Sequence, residues 1–151
     1  MRYFEDIEVG ETREFGEYHV TSDEIVEFAE RYDPQPFHVD EEAAAETMFG
    51  ELVASGWHTA AMSMRMLVEG PDDEEDRASM GSPGVDELRW HQPVRPGDTL
   101  SLRTEVLEKR PSESRSDRGY VKSRLETFNQ DDELVMSWVG NAIYERREHE
   151  E

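Results

Sequence analysis

The sequence predicts an α+β fold in which an antiparallel sheet wraps around a long central helix. Two observations carry this. Along the chain, hydrophobic patterns run as one early strand, three helices and then four strands, and such segregation is the mark of the α+β class. The longest helical pattern, from Ser55 to Gly70-Pro71, is apolar on nearly every side, and a helix of that kind is buried. In a chain of 151 residues a sheet wrapped around it is the available cover. The length fits a single domain over residues 1–151.

Residues 1–20 read as an entry loop and a first strand. Thr21-Ser22-Asp23-Glu24 matches a capping box, with Thr21 as N-cap and Glu24 at N3. Ile25, Phe28, Ala29 and Tyr32 then recur at helical spacing and give this helix one apolar face. Pro34 ends it by disfavouring the α conformation at Asp33. After His38, Asp40-Glu41-Glu42 caps and charges a short Ala-rich helix running to about Phe49, where Gly50 stops it. In the long helix, Trp57, Ala60, Ala61, Met64, Leu67 and Val68 form the expected core face, which Met62 and Met66 extend.

Residues 69–84 hold Asp72-Asp73-Glu74-Glu75-Asp76 and then Gly, Ser and Pro, and read as a solvated acidic loop. Leu88 and Trp90 alternate with Arg89 and His91, and Pro93, Pro96, Gly97 and Asp98 form a turn. Leu100, Leu102, Thr104 and Val106 alternate with Ser101, Arg103 and Glu105. A polar connection from Arg110 to Gly119 leads to a strand over 120–129. A hairpin loop at Asn129-Gln130-Asp131-Asp132-Glu133 precedes the last strand, Leu134 to Tyr144. The charged tail from Glu145 to Glu151, residues 146–151 above all, reads as frayed.

Composition excludes several classes of function. With 37 acidic against 16 basic residues the net charge is −21, and such a surface repels nucleic acid and anionic lipid. The acids are spread along the whole chain and only Lys109 and Lys122 are lysines. This points to concentrated salt, where a Debye length of ~3 Å at 1 M screens self-repulsion. Without cysteine there is no disulfide, thiolate ligand or thiol nucleophile. No apolar run approaches the ~20 residues of a spanning helix, and Met1-Arg2-Tyr3-Phe4-Glu5-Asp6 lacks the apolar stretch of a signal peptide. A cytoplasmic protein with no membrane partner is expected.

The chemistry is concentrated in Tyr32-Asp33-Pro34-Gln35-Pro36-Phe37-His38-Val39-Asp40. An acid and an imidazole stand five residues apart in a segment stiffened by two prolines. Taken locally, this is either a Pro-rich connector with an incidental His or an acid–base pair held at a set separation. Asp33-x-Gln35-Pro36-x-His38-x-Asp40, followed by Ser55-Gly56 at a helix start, resembles the signature of the MaoC-like dehydratases. That family includes the (R)-specific enoyl-CoA hydratases, and its motif reads Asp-x-Asn-Pro-x-His-x-Asp. Gln35 stands where that motif often has Asn. The resemblance runs from Phe4-Glu5-Asp6-Ile7 to the last strand.

The resemblance implies a hot-dog fold and hydration of a trans-2-enoyl thioester to the (R)-3-hydroxyacyl thioester, without a cofactor. The substrate would be carried by CoA or by acyl carrier protein. Such a reaction needs water deprotonated as it attacks C3, a proton for C2, and support for the enolate oxygen. Asp33 and His38 can supply the first two between them; which takes the water's proton stays open, with Asp33 as base the working assignment. The third need suits a helix start, whose N–H groups are unpaired and whose dipole favours negative charge. Gly56, closely approachable without a side chain, is the expected oxyanion donor, as the resemblance also implies.

Gln35, Ser55 and Trp57 are expected to line the substrate; Ser55 also suits an N-cap better than a nucleophile, and Trp57 suits the core. His38, Asp40 and His58 match no metal-ligand spacing, so no metal is expected. His19 and His91 read as packing or surface residues, and His149 lies in the tail. A single sheet leaves an edge strand with unpaired backbone groups, so a homodimer or a multiple of dimers is expected. The alternatives are a hot-dog thioesterase and a non-catalytic acyl-binding module. Residues 57–68 contain no Asp or Glu, although hot-dog thioesterases generally place an acid on this helix.

Overall fold

A computed structural model describes residues 1–71 and 76–147. A 3-10 turn at Phe4–Asp6 precedes β1 (Thr12–His19), α1 (Ser22–Tyr32), α2 (Pro36–Val39), α3 (Glu41–Ala45), α4 (Gly56–Glu69), β2 (Ser79–Trp90), β3 (Thr99–Pro111), β4 (Arg118–Phe128) and β5 (Leu134–Glu145). The five strands form one antiparallel sheet in the order β1-β3-β4-β5-β2, with β1 and β2 at its edges. The α+β hot-dog architecture read from the sequence is therefore the one observed.

The main core joins α1 and α4 to the sheet. Ile25, Met62, Met66, Leu100, Leu102, Leu125, Met136 and Trp138 are all buried in it. A second, smaller cluster of Phe4, Ile7, Val121 and Tyr144 fixes the N-terminal turn against β4 and β5. Gly119 makes room for this, since a Cβ there would lie 2.4 Å from Phe4 ring carbons.

Thr21 caps α1 by accepting from the Glu24 N–H at 3.2 Å. The expected box closes only halfway, because the Glu24 carboxylate accepts from the Tyr18 hydroxyl at 2.8 Å. α3 is shorter than expected and ends at Ala45. Thr47 and Phe49 lie in a turn, and Gly50 adopts φ +71° there.

The face that α4 buries is a correction. His58, Thr59, Met62, Ser63 and Met66 are the residues it buries. Trp57, Met64 and Val68, expected in the core, are 59%, 43% and 68% exposed. Side-chain size and hydrogen bonding explain the inversion. The sheet comes so near that a Cβ at Gly16 would lie 2.9 Å from the Met66 sulfur. Small hydroxyl residues permit that approach, and their polar atoms are satisfied: Ser63 Oγ donates to the Thr59 carbonyl at 2.8 Å and lies 2.7 Å from Thr127 Oγ1.

Three boundaries also move. The loop expected over 69–84 gives way to β2 at Ser79, while Asp72-Asp73-Glu74-Glu75 lies outside the described residues. Gly81, Pro83 and Gly84 are tolerated because β2 is an edge strand with three register shifts against β5. The polar connection shrinks to 112–117 as β3 runs on to Pro111. The tail is tied down at its start: Glu145 N donates to the Ala78 carbonyl, Arg146 N to the Asp117 carbonyl and Arg147 N to Glu5 Oε1.

Candidate active site

α1 ends where the sequence says it should. Asp33 has left the helix with φ −153° and ψ 69°, although its N–H still donates to the Ala29 carbonyl. The Gln35 N–H returns to the Asp33 carbonyl at 2.8 Å, and Pro36 opens the single turn of α2. Within that turn the His38 N–H donates to the Gln35 carbonyl at 2.9 Å. Asp40 then accepts from the Glu42 and Ala43 N–H groups and caps α3. The stiff turn is thus a short helix clamped at both ends.

Asp33 and His38 meet. His38 Nε2 is 3.5 Å from Asp33 Oδ2, and the ring is only 6% exposed. Its Nδ1 lies 2.7 Å from the Val53 carbonyl. A carbonyl only accepts, so Nδ1 carries a proton here and Nε2 is the ring nitrogen turned toward Asp33. The Asp33 carboxylate is held on both oxygens, Oδ1 by the Gln35 amide at 2.7 Å and Oδ2 by the Ser55 hydroxyl at 2.7 Å. These contacts hold its pKa below the ordinary carboxylate value. The Ser55 hydrogen bond contributes most, Gln35 and His38 add to it, and burial opposes it.

The Ser55 bond also brings the start of α4 against Asp33, across 22 positions of sequence. Ser55 is the N-cap, its Oγ accepting from the Trp57 N–H at 3.3 Å. The Ser55 carbonyl accepts from His58 and Thr59 at 2.9 and 3.0 Å. Gly56 is the one residue of this first turn whose N–H has no hydrogen-bond partner among the described residues. It sits under the Trp90 indole, where a Cβ would lie 2.4 Å from a ring carbon. Trp57 points outward and meets Trp90 edge-on, with ring centroids 5.0 Å apart.

The remaining polar candidates are used otherwise. With His38 turned to Val53 and Asp40 capping α3, the described residues contain no group of three His, Asp or Glu placed to hold a metal. His58 stacks on Phe28 at 4.6 Å, its Nδ1 has no partner, and burial lowers its pKa. His19 pairs with Thr99, and His91 with Ser137 on the neighbouring strand. His149 lies outside the described residues. Sequence reasoning missed two participants. The Val53 carbonyl that fixes the His38 tautomer is a backbone group without a sequence signal. Trp90 read only as a strand residue, although its alternation gave it a definite face.

A hollow of about 620 Å³ lies further along α4. Met64, Leu67 and Val68 of the helix face Phe15, Val106, Leu125 and Trp138 of the sheet across it. Asp33, His38 and Gly56 are not in its wall.

The family model of the MaoC-like domain matches residues 5–127. A 3-hydroxybutyryl-CoA dehydratase of Methylorubrum extorquens is 34% identical over 119 residues, 76% of this chain and 69% of that protein. The crystal structure of a MaoC-like dehydratase from Rhodospirillum rubrum shares 41% identity at a TM-score of 0.89, covering 98% of this chain and 99% of the other. The unliganded R-hydratase PhaJ1 of Pseudomonas aeruginosa shares 27% identity at a TM-score of 0.72, covering 97% and 86%.

Proposed function

Because this chain belongs to the MaoC-like domain family, we propose that it adds water reversibly to a trans-2-enoyl thioester, giving the (R)-3-hydroxyacyl thioester. The observation that carries the proposal is the His38–Asp33–Ser55 chain of contacts ending beside the unpartnered Gly56 N–H. It joins an acid–base pair to an oxyanion donor, which is what the reaction requires. The R-hydratase and 3-hydroxybutyryl-CoA dehydratase relatives support the same reading.

In the proposed mechanism a water sits between Asp33 and His38. Its oxygen attacks C3 as its proton passes to His38 Nε2. The tautomer set by Val53 and the stabilised, ionised Asp33 together weigh toward His38 as the base rather than Asp33. Asp33 then orients the water and stabilises the imidazolium. The electron pair of the C2–C3 double bond moves toward the thioester oxygen, which receives the Gly56 N–H. Return of the proton from Nε2 to C2 collapses the enolate and completes addition on one face. Gln35 and Ser55 hold the carboxylate.

The acyl tail is proposed to run along α4 toward the hollow at Met64. Eight residues separate Gly56 from Met64, a rise of ~12 Å along a helix. CoA or acyl carrier protein would carry the thioester. The exposed edge strand β2 and the uncovered apolar residues of α4 support a homodimer. Light scattering in molar KCl is expected to give twice the chain mass; the mass of one chain would overturn that assignment.

Incubation with crotonyl-CoA and longer enoyl-CoA esters, read by mass spectrometry, tests the reaction. A gain of one water is the expected outcome. Release of free CoA would establish the thioesterase alternative, and unchanged esters at every length would leave a binding module. The absence of Asp and Glu from residues 57–68 argues against the thioesterase.

A further inference from the structure

We propose that Ser55 is a positioning residue whose single hydroxyl couples the Asp33 carboxylate to the helix start that presents the Gly56 N–H. The inference rests on the hydratase reading for its catalytic consequence. It replaces substrate contact as the role of this side chain. Ser55 is fully buried, and both hydrogen-bonding capacities of its hydroxyl that matter here are occupied. The O–H donates to Asp33 Oδ2 at 2.7 Å, while the oxygen accepts from the Trp57 N–H at 3.3 Å. A group so placed has no proton left to offer a substrate. Its carbonyl is engaged as well, by His58 and Thr59.

The consequence is geometric first. Asp33 belongs to the end of α1 and Gly56 to the start of α4, and beyond the shared core these helices also meet at the Phe28–His58 stack. The Ser55 hydroxyl is the direct polar link between the carboxylate and the first turn of α4. Without it the two catalytic halves lose a shared reference point, and a displacement of ~1 Å at a reacting group costs about 10²-fold in rate.

The electrostatic consequence follows from the same bond. Asp33 sits between α1 and α2 and faces α4. Of the titratable groups on those elements, His38 is the one that acts on its charge. Tyr32 of α1 and His58 of α4 do not contribute. Removing the hydroxyl deletes the strongest stabiliser of the ionised carboxylate, so its pKa rises toward the ordinary value. Asp33 then takes up a proton at a higher pH, and the acid limb of activity moves up with it.

The test is a ¹³C NMR titration of the Asp33 carboxyl in the wild-type protein, Ser55→Ala and Thr21→Ala, with kcat and KM measured across pH. Thr21→Ala removes the N-cap of another helix and controls for lost capping. Ser55→Gly is the second variant, since Gly is tolerated as an N-cap and also lacks the hydroxyl. The expected result is an upward move of the Asp33 midpoint and a kcat loss of about 10²-fold in either Ser55 variant, with KM little changed. Thr21→Ala should move neither. An unmoved midpoint in a folded Ser55 variant would reduce Ser55 to a cap. A rise in KM at constant kcat would restore it to substrate binding. The titration needs no substrate, so an inactive wild-type protein would defeat the hydratase reading and leave the carboxylate result standing.

Discussion

The buried hydroxyls of α4 are matched within the chain, whereas the same helix carries large apolar side chains that stay exposed. Ser55, Thr59 and Ser63 are buried and hydrogen-bonded. Trp57, Met64 and Val68 are exposed. The contrast teaches that hydrophobicity alone did not choose the inner face. Closeness to the sheet did, favouring small residues whose hydroxyls find partners and one flexible Met per gap. The exposed apolar side chains of α4 are then surface set aside for something other than the core of this chain.

The comparison can be broken most sharply at the matched end. Asp33→Asn and His38→Gln are expected to fold as the wild type and to lose roughly 10²–10⁴-fold in hydration rate. Thermal melts and steady-state kinetics read both quantities, and near-wild-type turnover by either variant would remove that residue from the mechanism. The next effect contrasts the two faces directly. Met66 is 2% exposed and Met64 is 43% exposed. Met66→Ala should cost about 2–5 kcal/mol through an unfilled cavity. Met64→Ala should stay within about 0.5 kcal/mol in the isolated chain. Chemical denaturation compares them, and equal costs would show that Met64 is covered in solution. The smallest effect is general. With a net charge of −21, the midpoint of thermal unfolding should climb steadily as KCl is raised toward molar concentrations, because screening relieves self-repulsion. A flat midpoint across that series would remove salt adaptation as the reason for the acidic surface.

The fold was legible because its signals are local. Thr21, Pro34, Ser55 and Gly70 punctuate the helices through backbone geometry that neighbouring residues dictate, and the strand from Leu100 to Val106 alternates in sequence. The orientation of α4 was not legible. Its periodicity admits an apolar stripe through Trp57, Met64 and Val68 and a mixed stripe through His58, Met62 and Met66, and only the distance to the sheet decides between them. Pro83 and two glycines concealed the first half of β2, whose edge position excuses them. At the site, the types and spacing of Asp33 and His38 were visible in the motif. The Ser55–Asp33 bond was not, because a residue that looks like a helix cap gives no sign of which side chain lies across from it.

Trp90 has one more consequence. Its indole covers Gly56, and Trp57 leans on its edge, while the third tryptophan, Trp138, is buried in the core. Two of the three indoles therefore lie beside the helix start proposed to receive the thioester oxygen, and a molecule arriving there should change their surroundings before any bond is made or broken. If the proposed site is right, emission from the exposed pair should follow arrival at the helix start, and emission from Trp138 the integrity of the core.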